Sequence, residues 1–183
     1  MFDISELISR RLKSVLEWVV ILLMVLLTIV VIVAVLFRLA GDSLSWYDEV
    51  AAIQLSWITY YGASLAALKR RHIGFDTVLL AIPMPARMVF VVIAEIIVVG
   101  FFVLLAATGW QVLQVLEGDR LVSLTWVPVQ LTQSVIPIGG ALFVLCELLS
   151  LPEYWRLIAA GKSFEYTEIE KEIESELHRA EPR

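Results

Sequence analysis

Four long apolar runs constrain this chain more than any other feature. They cover about residues 15–37, 50–68, 88–110 and 127–150, and very few charged side chains interrupt them. At 1.5 Å per residue, each run forms a helix long enough to cross a hydrocarbon core of about 30 Å. A helix satisfies its own backbone hydrogen bonds in lipid, so the sequence predicts an all-α membrane protein with four transmembrane helices.

The composition and its distribution divide the chain into three parts. Of the 183 residues, 60% are hydrophobic and only 18% are charged, and the charges are concentrated in loops and tails. The first apolar run is too long for a signal-peptide core, and no small-residue cleavage site follows it. We therefore expect a transmembrane domain over residues 14–155, preceded by a short segment, residues 1–13, and followed by an acidic cytoplasmic tail, residues 156–183.

The basic residues predict the orientation of the four spans. Lys and Arg collect in cytoplasmic loops of membrane proteins. One side of the predicted spans carries only Arg38 and Arg120. The other side carries the remaining basic residues near the spans: Arg10, Arg11, Lys13, Lys69, Arg70, Arg71, Arg87, Arg156 and Lys162. Both termini are therefore predicted to be cytoplasmic, in a multi-pass protein of the cell inner membrane.

Residues 1–13 have the pattern of an interfacial amphipathic helix. Ile4, Leu7, Ile8 and Leu12 recur at helical spacing, and arginines lie on the rest of the segment. Such a helix lies in the membrane surface with its basic side chains facing anionic headgroups. The segment is predicted to contact membrane lipids.

Aromatic and acidic residues open the second span. Trp46, Tyr47 and Asp48 precede it, and Trp126 lies at the same predicted surface before the fourth span. Aromatic belts at membrane interfaces anchor helices at a fixed depth, so these four residues are predicted outer-interface anchors and a possible docking surface. Ser45 is the expected N-cap of the second helix.

Two charged residues at the outer surface are predicted to pair. Glu49 lies one residue deeper than Asp48, and Arg38 ends the first span. Opposite charges at a similar depth usually find each other in a membrane protein. We expect a structural ion pair between Arg38 and Glu49.

The inner loop after the second span carries the motif Arg70, His72 and Asp76. The spacing of His72 and Asp76 could place both on one helix face, which suggests a metal or acid–base pair. A zinc site needs three or four ligands, however, and no others stand nearby. Local capping of the inner loop is the favoured interpretation.

Glu95 is the only carboxylate well inside a predicted span. A proton or cation relay is one hypothesis for it, and an interhelical hydrogen bond is the simpler one. Glu17 and Glu147 lie near the inner boundary and are interpreted as interfacial. The polar residues expected at the depth of Glu95 are Thr28, Tyr60, Tyr61 and Ser64.

Small residues and proline predict helix contacts. Pro137 lacks a backbone N–H and should kink the fourth span near Gln133. Gly139 and Gly140 follow it, and Gly62 lies in the second span. Small residues let helices approach closely in lipid, so these positions are predicted packing sites.

The second span and its flanks, residues 44–78, read LSWYDEVAAIQLSWITYYGASLAALKRRHIGFDTV. Tryptophan and paired acids open this segment, a small-residue patch lies at 62–64, and a basic stretch leads into His72 to Asp76. The segment closely resembles the small membrane subunit of TRAP (tripartite ATP-independent periplasmic) transporters, the DctQ-like family. Pro137 to Gly139 fits as well, and the resemblance covers nearly the whole chain.

This resemblance implies a role within a larger assembly. Such subunits have four helices with both termini inside, and they pair with a large TRAP permease subunit that carries the substrate and sodium sites. An extracytoplasmic substrate-binding protein delivers the substrate, usually an organic acid. The resemblance thus implies that the small subunit is a scaffold for the elevator-type permease, with a docking surface for the binding protein as a further implied role.

A second hypothesis remains open beside the resemblance. The chain could be a self-sufficient homo-oligomeric transporter or channel that uses Glu95 as its coupling acid. The sequence contains no nucleophile motif, phosphate-binding loop, haem pattern or iron–sulfur pattern. We therefore expect no enzymatic activity, no cofactor and no nucleic-acid partner.

Overall fold

The computed structural model describes residues 2–70, 82–160 and 173. Five helices make up its regular structure in this part of the chain: α1 (Phe2–Leu39), α2 (Tyr47–Leu68), α3 (Met84–Val115), α4 (Val129–Gln133) and α5 (Val135–Ala159). The described residues contain no strand, and their single β-bridge joins Arg120 to Pro128 in the loop between α3 and α4. The all-helical class predicted from the sequence is confirmed.

Helix α1 is continuous. Its 38 residues run from Phe2 to Leu39 without a break between the predicted interfacial segment and the first span. A helix of this length measures roughly 57 Å, almost twice a hydrocarbon core. The chain turns at Gly41, whose φ of 88° is in the left-handed region that glycine adopts without strain.

Helix α2 begins one residue later than predicted. Trp46 is its N-cap in place of Ser45, and no side chain caps the helix. Asp48 and Glu49 in the first turn still complement the positive end of the helix dipole. The first-turn acids therefore favour a helix start here although the predicted serine cap does not form.

Helices α3 and α5 extend beyond the predicted third and fourth spans. Pro83 is the N-cap of α3 and a further proline lies in its first turn, where a missing N–H costs nothing. The fourth predicted span is interrupted at Ser134, between α4 and α5. Pro137 has no N–H to donate to the Gln133 carbonyl, so the interruption lies where the sequence predicted a kink.

Three stretches of described helix are long and apolar enough to cross a membrane: Leu7–Leu39, Met84–Val115 and Val129–Ala159. Helix α2 is the exception among the four predicted spans. It has 22 residues, which is long enough, but it carries more polar and aromatic side chains than the others. Length and composition alone therefore do not identify α2 as a membrane span.

The helices pack in the order α1, α2, α5, α3. Helix α2 contacts α1 on one side and α5 on the other, and α3 packs mainly against α5. The core at the α1–α2–α5 junction contains Leu16, Ala67, Leu68, Phe143 and Cys146. Many large apolar side chains on α1 and α3 remain exposed. The helices at the two ends of this packing order, α1 and α3, can therefore contact lipid or another membrane protein.

Candidate functional site

A buried group of polar side chains joins three helices where α2 ends. The Nη1 atom of Arg70 lies 2.6 Å from Oε1 of Glu95 on α3 and 2.7 Å from Oε1 of Glu147 on α5. The Arg70 Nε donates a hydrogen bond to the Ser150 hydroxyl at 2.9 Å, and its guanidinium carbon lies 4.5 Å from the centre of the Tyr154 ring. We call these five residues the inner cluster.

The local sequence explains how Arg70 reaches this position. Helix α2 ends at Leu68, and Arg70 follows with a φ of 49°, in the left-handed region. Helices commonly end in this conformation, but glycine usually occupies the position. An arginine there costs about 1–2 kcal/mol. The contacts of its guanidinium offset that cost.

Helix α5 presents its part of the inner cluster on one face. Glu147, Ser150 and Tyr154 follow the i, i+3, i+7 spacing of a helical stripe. The Ser150 hydroxyl accepts from Arg70 and lies 3.3 Å from the Ala67 carbonyl and 3.0 Å from the Glu147 carbonyl. The serine thus joins α5 to the last turn of α2.

The inner cluster is almost closed to solvent. The exposed fraction of the side chain is 9% for Arg70, 12% for Glu95 and 6% for Glu147. Charge–charge attraction is much stronger in such a low-dielectric site than at a surface. The same burial makes an unpaired charge very unfavourable. The arrangement can hold three helices together, and it depends on Arg70 as the cation that pairs with both acids.

These contacts correct the expectations for Glu95 and Glu147. Two of the residues expected at the depth of Glu95 bond elsewhere: the Thr28 hydroxyl donates to the Met24 carbonyl, and the Ser64 hydroxyl to that of Tyr60. The partner of Glu95 is Arg70. Glu147, interpreted from the sequence as interfacial, is buried with 5% of the residue exposed.

A second polar contact fixes the N-terminal end of α2, which is the end predicted to lie at the outer surface. The Glu49 carboxylate accepts hydrogen bonds from the backbone N–H of Val122 at 3.1 Å and of Ser123 at 2.9 Å, and also from the Ser123 hydroxyl. These contacts hold the loop between α3 and α4 against the first turn of α2. We call Glu49, Val122 and Ser123 the outer clasp.

The hydrogen bonds of the outer clasp favour the ionised form of Glu49, which precedes the predicted span 50–68. Those from Ser123, side chain first and then backbone, lower the pKa of the Glu49 carboxyl below its ordinary value. The clasp therefore has a charged acceptor at neutral pH.

The expected ion pair between Arg38 and Glu49 does not form in the described part of the chain. The Glu49 carboxylate is occupied by backbone and hydroxyl donors of the loop instead. The Asp48 side chain raises the pKa of the Tyr47 hydroxyl, and Arg38 partly opposes that shift. A preorganised pair of N–H donors thus replaces the flexible arginine as the partner of Glu49.

The aromatic residues predicted as outer anchors lie at the N-terminal end of α2 and in the loop before α4. Trp46 and Tyr47 are half-buried at the start of α2, whereas Trp126 is 74% exposed. Trp57 lies deeper in α2 and donates from its indole N–H to the Thr132 carbonyl at 3.0 Å. Its hydrogen bond joins α2 to α4.

The glycines expected at packing sites have different surroundings. A Cβ on Gly139 would lie 2.7 Å from the Tyr60 Cβ, and one on Gly140 would lie 3.2 Å from the Ala106 Cβ. Gly139 thus lies where α5 meets α2, and Gly140 where it meets α3. A Cβ on Gly62 meets no atom within 4 Å.

Two residues of the predicted inner-loop motif, His72 and Asp76, lie outside the described residues. Arg70 is the described member, and it belongs to the inner cluster rather than to a cap of the loop. Within residues 2–70, 82–160 and 173, no group of three or more His, Cys, Asp or Glu side chains is arranged to hold a metal ion.

The comparisons with known proteins place the fold in a transporter family. The family model for "Tripartite ATP-independent periplasmic transporters, DctQ component" matches residues 27–157, well over half of the chain. The chain belongs to the DctQ family. The matched range includes both the inner cluster and the outer clasp. A search of curated proteins found no match.

Membership of the DctQ family identifies the chain as the small membrane component of a TRAP transporter. The family is a transporter component and not an enzyme family. Its members operate with a large TRAP permease and a substrate-binding protein. Together with the three long apolar helices, this makes the chain a multi-pass membrane protein.

Proposed function

We propose that this chain is the small scaffold subunit of a sodium-coupled TRAP transporter for organic acids. It stabilises the large elevator-type permease subunit and helps dock the substrate-binding protein at the outer surface. Family membership supports this role, since DctQ components work in a tripartite system. The sodium and substrate sites belong to the large subunit.

The observation that carries the proposal is the pairing of the buried acids. Glu95 and Glu147 both form an ion pair with the guanidinium of Arg70, and this guanidinium is nearly closed to solvent. A coupling acid must exchange its ion with water on alternate sides of the membrane. An acid that is paired with a buried arginine from another part of the chain is expected in a fixed structure rather than along a transport path. The rival hypothesis of a self-sufficient carrier is therefore not favoured.

Helix α2 is the fourth span in this proposal. It packs between α1 and α5, each of which contains a stretch apolar enough to cross a membrane. Its polar surface faces these neighbours in part: Ser64 is fully buried, and the Trp57 N–H bonds to α4. Four spans with the basic residues on one side support a cytoplasmic location for both termini in an inner-membrane protein.

A scaffold must remain still while the transporting part of an elevator moves. Aromatic residues at the outer ends of the helices resist vertical displacement, because moving them into hydrocarbon is unfavourable. The exposed apolar faces of α1 and α3 provide surfaces for lipid and for the large subunit. Trp46, Tyr47, Asp48 and Trp126 lie where a binding protein would approach.

Purification from the native membrane tests the proposal. A tagged chain should bring down one much larger hydrophobic protein in equal amount. Reconstituted with that protein and its binding protein, the chain should support sodium-dependent uptake of an organic acid. The chain alone in vesicles should transport nothing. Unaided transport by the isolated chain would contradict the scaffold role.

Glu95→Gln separates the two hypotheses further. In a scaffold the amide keeps the shape of the carboxyl and leaves Glu147 to pair with Arg70, so uptake should stay near the wild-type rate. In a carrier that uses Glu95 as coupling acid, the same change abolishes coupled transport. Glu117→Gln in the exposed outer loop is the matched control.

A further inference from the structure

The inner cluster contains more negative than positive charge. Arg70 contributes one positive charge, and the two carboxyls of Glu95 and Glu147 contribute two negative charges when both are ionised. Both carboxyls bond through Oε1 to the same Nη1 atom of Arg70, so they are held close together. A net charge is very costly in such a closed, low-dielectric site.

The second oxygen of each carboxyl has no partner among the described residues. Oε2 of Glu95 and Oε2 of Glu147 are both buried, and neither has a hydrogen-bond donor. The Glu147 side chain is 94% buried, with 6% exposed. The two carboxyl groups are neighbours, because their Oε1 atoms contact the same Nη1 atom of Arg70. One hydrogen between two neighbouring buried acceptors can satisfy both of them.

We propose that Glu95 and Glu147 bind one proton and share it between their free oxygens. One carboxyl is then a neutral acid that donates its O–H to the other, which remains a carboxylate. The positive charge of Arg70 balances the single negative charge that is left. The bound proton satisfies both orphaned oxygens and brings the net charge of the inner cluster to zero.

The surrounding charged groups leave this balance unchanged. Lys69, beside Arg70, is paired with Glu17 of α1 at 2.5 Å. Arg87 of α3 donates to the carbonyls of Ile82 and Ile158. The titratable groups on α5 next to Glu147 are the buried Cys146 and the Tyr154 ring, which lies against Arg70. Among the described residues, Arg70 is the cation that is seen to contact both carboxyl groups.

Infrared spectroscopy of the full chain in lipid nanodiscs at neutral pH tests the proposal directly. The wild type should show the C=O stretch of a protonated carboxylic acid. That band should disappear in Glu95→Gln and in Glu147→Gln, because a single remaining carboxylate balances Arg70 without a proton. Glu117→Gln should retain it. Absence of the band in the wild type overturns the proposal, and so does its persistence in both single variants.

Charge counting gives a second readout in the same samples. Each single glutamine variant should keep a Tm within about 3 °C of the wild type, because the amide replaces the neutral acid. The double variant Glu95→Gln/Glu147→Gln leaves Arg70 unpaired and should lose roughly 10 °C or more. A double variant as stable as the single ones contradicts the proposal.

Replacing sodium chloride by choline chloride distinguishes a proton from a metal cation. A proton-loaded pair keeps its infrared band and its Tm in both salts at constant pH. A sodium ion between the two free oxygens would instead give no acid band, and removal of sodium would lower the Tm. That second result overturns the proposal. Neither measurement depends on transport, so both remain informative if the scaffold role fails.

Discussion

Helix α2 is fastened at its two ends by opposite means. At its outer end the Glu49 carboxylate accepts hydrogen bonds from an exposed loop. At its C-terminal end the Arg70 guanidinium pairs with two carboxyl groups in an almost closed site. Both contacts contain a charged group and neighbouring donors or acceptors. They differ in burial, and burial determines how much each contributes to stability.

The outer clasp lies in water, which competes for every donor and screens the charge. Contacts of this kind contribute little each and can open without unfolding the helices. In the inner cluster water cannot replace a lost partner, so removal of the cation Arg70 leaves buried negative charge without compensation. We therefore expect the inner cluster to govern folding and the outer clasp to govern the position of one loop.

Arg70→Met should produce the largest effect. It leaves Glu95 and Glu147 next to each other without their cation, which costs about 3–5 kcal/mol in a buried site. We expect the purified variant to melt far below the wild type and to lose its association with the large subunit. Thermal unfolding followed by circular dichroism measures the first effect, and co-purification measures the second.

Two controls sharpen the Arg70 experiment. Lys69→Met removes a neighbouring positive charge whose pair with Glu17 is partly exposed, so the loss should be much smaller. Arg70→Met combined with Glu95→Gln and Glu147→Gln removes all of the charge and should recover most of the stability. If Arg70→Met melts like Lys69→Met, the claimed difference between the two ends of α2 is wrong.

Gly139→Ala should have the second largest effect. The new Cβ meets the Cβ of Tyr60 at 2.7 Å, an atom that cannot move away without its helix. Overpacking of this kind costs about 1–3 kcal/mol. Because it pushes α5 from α2, it should disturb the inner cluster and leave the outer clasp in place. Thermal unfolding and the exchange rate of the Ser123 amide report on the two regions separately.

Gly62→Ala is the matched control, since it adds the same atom to α2. No atom lies within 4 Å of that Cβ, and alanine favours a helix over glycine by about 0.5–1 kcal/mol. The isolated chain should therefore become slightly more stable. Equal losses for both alanine variants would show that Gly139 does not set the distance between the two helices.

The membrane-crossing helices could be predicted from the sequence because lipid leaves few alternatives. Long apolar runs must form helices there. The runs at 15–37 and 88–110 lie within helical stretches that can span a membrane, and the run at 127–150 overlaps a third. Pro137 likewise marked the break before α5, since a missing N–H acts locally. The apolar runs and the proline break could be predicted because each depends only on its own segment of the sequence.

The inner cluster could not be predicted because its members are far apart in sequence. Arg70 is 25 residues from Glu95 and 77 from Glu147, and only packing of three helices brings them together. In the sequence Arg70 belongs to a basic stretch that resembles any headgroup-facing loop. The available signal was the stripe of Glu147, Ser150 and Tyr154 on one face of α5.

The partner of Glu49 was missed for a different reason. A sequence shows which side chains can pair, and Arg38 was the opposite charge expected nearest to Glu49 in depth. The actual donors are mainly backbone N–H groups of Val122 and Ser123, which every non-proline residue carries. No residue type identifies such a donor. Only the path of the loop does.

Glu49→Ala tests the outer clasp and should have a smaller effect than either core variant. The loop loses the acceptor for its Val122 and Ser123 amides, so their hydrogen exchange should accelerate while the Tm stays close to the wild type. Assembly with the binding protein, or uptake, should fall modestly. Arg38→Ala is the discriminating control and should leave the amides protected. Equal acceleration of the Val122 and Ser123 amide exchange in both variants would contradict the outer clasp and favour the Arg38–Glu49 ion pair predicted from the sequence.

Acidification should open the outer clasp with the smallest effect of all. The pKa of Glu49 is lowered in the folded chain, chiefly by the Ser123 hydrogen bonds, so its stabilising contribution is complete above the ordinary glutamate pKa. That contribution is lost as the pH falls through the lowered value, and it is unaffected near neutrality. Amide chemical shifts of Val122 and Ser123, followed against pH, should titrate below the ordinary glutamate range and should not titrate in Glu49→Gln. A midpoint above that range would mean that the loop donors do not favour the ionised carboxylate, and the two ends of α2 would then differ in more than their burial.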